Sequence, residues 1–95
     1  MDRPRIYVDF NEMLEDDLVL LSKYDHKVDS TGNIISFYEG MSISIYTDDV
    51  DDNGKIDNLI ADGVVELNID KGWSAHVKWC CRINELGIKH ESDLK

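Results

Sequence analysis

Between Asp48 and Asn58 the chain concentrates five aspartates and one lysine. Asp49, Asp51, Asn53 and Asp57 offer side-chain oxygens at alternate positions, and Lys55 falls where a backbone carbonyl would serve. A hard cation such as calcium takes several oxygens at once, and alternate residues of a curled loop turn theirs inward. Gly54 supplies the sharp turn. Asp49, Asp51, Asn53, Lys55 and Asp57 are therefore the candidate ligands of a calcium site. Ile60 stands where a closing bidentate glutamate is needed. Such a site would be weak, with Asp62 the nearest residue to complete it. The competing expectation is a solvated hairpin turning at Asn53-Gly54. No other cofactor is expected.

The second chemical candidate is a thiol. His76, Lys78, Cys80 and Arg82 alternate with Ala75, Val77, Trp79, Cys81 and Ile83. On one strand these sets leave by opposite faces. Cys80, between two cations, is expected to be reachable and acidified, whereas Cys81 belongs to the core. His76 would lie roughly 13 Å along the strand from Cys80, too far for a Cys–His pair. The adjacent carboxylates Asp16-Asp17, Asp48-Asp49 and Asp51-Asp52 sit in polar runs, without the pocket that raises a catalytic acid's pKa. No phosphate-cradling or nucleophile-elbow motif occurs. Tyr7 and Tyr46 fall on the polar parity of their strands. With Asp48, Asp49, Asp51 and Asp52 they form the expected partner-binding set.

These residues need elements to hold them. Met41–Thr47 alternates strictly, and Leu59, Ala61, Gly63, Val65, Leu67 and Ile69 share one parity. The acidic loop therefore joins two strands of a central hairpin. Gly63, inward and without a side chain, predicts a sharp bend or bulge. Ile6, Val8 and Phe10 mark a first strand. Asn11–Asp17 reads as one short helical turn capped by Asn11, followed by a buried strand at Leu18–Leu21. The alternative is a helix over 12–21, giving an α+β domain. Asp29-Ser30-Thr31-Gly32-Asn33 is a turn before a strand at Ile34–Tyr38. Ala75–Asn84 forms the last strand, and residues 89–95 are expected to fray. The fold class is thus all-β, with five or six strands.

The chain is expected to make one domain over 1–95. A domain of this size can bury well over half of the surface that its unfolded chain exposes. Hydrophobic residues make up 42% of the chain and charged residues 32%. That balance suits a globular chain and not a disordered one. A formal net charge of −10 argues against nucleic acid and anionic membrane surfaces as partners. The longest apolar run is Leu18–Leu21, too short to span a bilayer. Met1–Arg5 leads into alternation and not into a signal-peptide core, and Cys80-Cys81 is no disulfide framework. Both point to the cytoplasm.

The strand layout over residues 5–84, with an acidic loop inside the central hairpin, resembles an SH3-like barrel. The loop itself is similar to an EF-hand calcium loop. Asp57–Glu66 together with Trp79-Cys80-Cys81-Arg82 resembles a family of small uncharacterised bacterial proteins, which implies no activity. The SH3-like resemblance implies a non-enzymatic module that binds a protein partner across loops at one rim. A calcium-binding or cation-stabilised module is the first alternative. An acidic inhibitor or immunity-type protein that neutralises a basic partner is the second.

Overall fold

Short runs of alternation give short strands. In a computed structural model, which describes residues 3–94, the strands are β1 (Ile6–Tyr7), β2 (Met13–Glu15), β3 (Leu18–Ser22), β4 (His26–Val28), β5 (Ile34–Ser36), β6 (Ser42–Thr47), β7 (Leu59–Leu67), β8 (Trp79–Ile83) and β9 (Lys89–His90). A 3-10 turn follows at Glu91–Leu94. Seven strands form one sheet in the order β1-β6-β7-β8-β3-β2, with β9 also on β7, and β4-β5 is a separate hairpin. The sheet curls into half a barrel, so the domain is all-β.

The central hairpin is as the alternation predicts. β6 and β7 pair antiparallel without a break from Ser42↔Val64 to Thr47↔Leu59. β7 then meets β8 from Gly63↔Ile83 to Leu67↔Trp79. β1 joins the far edge of β6 in parallel, placing Ile6 beside Ile45 and Tyr7 beside Tyr46. The inner face packs Ile6, Val19, Ile45, Val65, Trp79 and Cys81 among the members of one core. Burying a Val or Ile of this kind contributes about 1.5–3 kcal/mol before the entropic cost of ordering it.

Several expectations are corrected. Met13–Glu15 is a strand, and neither a helical turn nor a helix over 12–21 forms. The Asp9 carboxylate accepts the Asn11 N–H, and Leu20 N–H bonds the Glu12 carbonyl, so the segment folds back along β3. Gly63 is in regular register, with no bulge. A Cβ there would stand 2.3 Å from the Arg82 carbonyl oxygen and 2.7 Å from Cys81 Sγ. Glycine is needed because β7 and β8 approach closely, not because the strand bends. The strand expected to be last, over Ala75–Asn84, is followed by β9; it is β8, which starts at Trp79 and not at Ala75. Asn68 Nδ2 donates to the Ser74 and Val77 carbonyls, tying the preceding residues into a loop. Ile69, expected inward, is 90% exposed on that loop. Residues 89–94, expected to fray, are docked: β9 pairs with Leu59-Ile60, and Glu91 N–H bonds the Asn58 carbonyl.

The turn at Asp29–Asn33 forms as its residue types demand. The Asp29 carboxylate accepts the N–H groups of Thr31 and Asn33 and the Thr31 hydroxyl, and Gly32 takes φ 89°. Ser30 then exchanges hydrogen bonds with the backbone of Arg5, docking this hairpin on the start of β1.

Candidate functional site

Tyr7 and Tyr46 meet because β1 and β6 are parallel and in register. Their rings stand edge to face, 5.6 Å between centroids and 81° apart. This is a favourable geometry for the ring quadrupoles. Both lie on the outer face of the sheet, Tyr7 exposed and Tyr46 half-buried. Lys27 Nζ donates to the Tyr7 carbonyl at 2.6 Å and to the Leu21 carbonyl at 3.2 Å. Burial lowers the pKa of this ammonium.

The chain runs from Tyr46 straight into the acidic loop, which is a narrow hairpin and not a curled cage. Val50 bridges Ile56, Asp51 N–H bonds the Lys55 carbonyl, and Asp57 N–H bonds the Asp49 carbonyl. The Asp51 carboxylate accepts the N–H groups of Asn53 and Lys55. This Asx turn closes the tip at Gly54, where φ is 79°. The Lys55 carbonyl and the Asp51 carboxylate are used within the hairpin. Asp57 turns to the C-terminal segment, where its carboxylate accepts the Ser92 N–H and hydroxyl. Asp62, the expected completing ligand, is held in mid-strand by the Ser44 hydroxyl at 2.7 Å. Arg5 Nη1 stands 3.7 Å from it. Among the described residues, no group of three or more His, Cys, Asp or Glu side chains is arranged to hold a metal ion. Asp48, Asp51 and Asp52 are exposed, and Asp49 is half-buried.

His90 closes over the base of this hairpin. Its Nδ1 is 3.2 Å from the Asp57 carbonyl oxygen, 3.7 Å from the Asp57 carboxylate and 3.9 Å from that of Asp49. The hydrogen bond to the Asp57 carbonyl, and then the Asp57 and Asp49 charges, raise the imidazole pKa. No local motif links His90 to Asp57; the β9–β7 pairing brings them together, with Glu91 and Ser92 bonded to Asn58 and Asp57 just beyond it.

Cys80 is not reachable. Parity does send it to the outer face, but that face is covered there by Leu18, Leu20, Leu14 and Val77, and Cys80 is 0% exposed. Burial, and next the Glu66 charge, push its pKa up to about 11 despite Arg82. Cys81 is equally buried, and burial pushes it up to about 12. The cations expected to acidify Cys80 are otherwise engaged. Lys78 pairs with Asp25 at 2.5 Å. Arg82 is gripped by Glu66 at 3.1 Å, Glu15 at 3.3 Å and Asp17 at 2.8 Å. These three carboxylates hold it charged. Sequence spacing carries no sign of this cluster, because its members come from β2, β7, β8 and the turn before β3.

Comparison of the chain with protein-family models, curated proteins and solved structures finds no match. The SH3-like and bacterial resemblances therefore gain no relative to support them. Among the described residues, no helix is long and apolar enough to cross a membrane.

Proposed function

We propose that this chain is a non-enzymatic protein-binding module that meets a basic partner through Tyr7, Tyr46 and the carboxylates of Asp48, Asp49, Asp51 and Asp52. The observation that carries the reading is the edge-to-face tyrosine pair, set on the outer face and continuous with the acidic hairpin. Tyrosine offers a large amphipathic contact at low entropic cost, and adjacent carboxylates steer a cationic partner into place. A barrel-like fold of the SH3-like kind and a cytoplasmic setting belong to the same reading, supported by the curled sheet and the two free cysteines. An inhibitor of a basic protein would use the same surface.

Affinity capture from native cell extract tests it with three baits at two salt concentrations. The intact chain should retain a basic protein at low salt. Tyr46→Ala, and separately Asp48→Asn with Asp52→Asn, should each lose it. Equal retention by all three baits overturns the assignment of this surface.

A further inference from the structure

A second surface lies at the other end of β7. Ile60 is the partner of Tyr46. From Ile60 to Glu66 the strand runs roughly 20 Å, so the two surfaces are separate. Here an open groove of about 530 Å³ runs between β2, the end of β7 and the loop at Asn68–Lys71. Leu14, Leu18, Leu67 and Ile69 give it an apolar lining. Leu67 is 43% and Ile69 90% exposed. Aliphatic side chains this open, side by side along a concavity, mark a surface that another molecule can cover.

The charge around the groove is negative on balance. Its lining holds Glu15, Glu39, Glu66 and Asp70 against Lys71 and Arg82, four negative and two positive, a net of −2. Arg82 is paired with Glu15 and Glu66 of the lining and with Asp17 beside them, so the carboxylates left to meet a partner are Glu39 and Asp70, against Lys71. Asp70 stays ionised, because the Ser74 hydroxyl and N–H hydrogen-bond its carboxylate and lower its pKa. Exposed aliphatic side chains beside two carboxylates not paired with Arg82, in a lining that is negative on balance, complement one kind of occupant. We infer that this groove docks a segment of a partner protein that carries lysine or arginine beside aliphatic side chains. The aliphatic groups would cover Leu67 and Ile69, and the cations would reach Glu39 and Asp70. An acidic or purely polar segment would leave both halves of the site unsatisfied.

The probe is an acetylated hexapeptide of alternating lysine and leucine, titrated into the isotope-labelled chain while amide shifts are followed. Shifts should concentrate at Leu14 and at Leu67–Lys71. Hexalysine, and a hexapeptide of alternating glutamate and leucine, should each bind at least about tenfold more weakly, a difference of roughly 1.4 kcal/mol. Glu39→Lys and Ile69→Ser, both at exposed positions, should weaken the lysine–leucine peptide by a similar factor. Tyr46→Ala should leave it unchanged, which separates this groove from the tyrosine surface. Equal binding of hexalysine would reduce the site to general acidity. Shifts centred on Tyr46–Asp52, or none at millimolar peptide, would likewise overturn the proposal.

Discussion

Strand parity sends Cys80 and Cys81 to opposite faces, and the structure agrees. What parity does not report is whether the outer face is covered. It separates Trp79, Cys81 and Ile83 correctly as core. Leu14, however, brought over Cys80 from β2, lies outside a pattern local to residues 75–84, and Val77, which that pattern puts on the Cys81 side, packs over Cys80 from the loop before β8. Both thiols should therefore be silent toward a thiol reagent in the native protein and both should react after denaturation; one fast native thiol would contradict the packing over Cys80. Serine at either position should cost about 1–3 kcal/mol through a buried hydroxyl without a partner. Gly63 makes the complementary case. Its place in the inward parity is legible, but its reason, a backbone of β8 too close for any Cβ, is not. Gly63→Ala should destabilise by about 1–3 kcal/mol, since the obstacle is main chain and cannot rotate away. A urea midpoint that falls with an unchanged slope would show this.

Among the elements, the central hairpin is the most legible, because both of its strands carry their own alternation and Asn53-Gly54 sits between them. The C-terminal segment is the least. Lys89 and His90 have no pattern of their own, and their strand exists only because Leu59-Ile60 leaves an edge for them. That docking should depend on pH. The His90 pKa is raised above its ordinary value of 6.5. Its contribution is therefore fully present below the unfolded pKa and is lost as pH rises through the folded one. The difference in thermal midpoint between the intact chain and His90→Asn should be widest near pH 5 and vanish near pH 8.5. A difference independent of pH would mean that His90 acts through packing alone. The hairpin it covers should not discriminate among divalent ions, since the carboxylates of Asp51 and Asp57 are tied to its own backbone and to Ser92. Calcium and magnesium at the same concentration should give the same midpoint. A selective rise with calcium, absent in Asp51→Ala, would restore the site expected from the spacing.

For the whole molecule, charge and topology matter most. The formal charge of −10 is held within a radius of gyration of 13.2 Å. At about 0.01 M salt the screening length is roughly 30 Å, so every carboxylate feels every other; near 0.1 M it is about 10 Å, shorter than the molecule. Self-repulsion should dominate the exposed ion pairs, so the midpoint should rise as sodium chloride goes from about 0.01 to about 0.15 M. A fall would assign more stability to the Arg82 cluster than a partly exposed network ordinarily provides. The all-β class is readable from alternation, whereas the sheet order is not, because pairing between strands distant along the chain leaves no local trace. That order has a consequence for biosynthesis. Val19 finds its β8 neighbour in Cys81, and Ile6 its neighbour in Ile45. At roughly 5–20 residues per second, Leu18–Leu21 emerges seconds before β8 has been translated. During that interval the most apolar run of the chain has only the short β2 beside it and not the sheet that buries it. The nascent chain thus carries a timed vulnerability, and a pause placed between the codons for β3 and β8 would lengthen it.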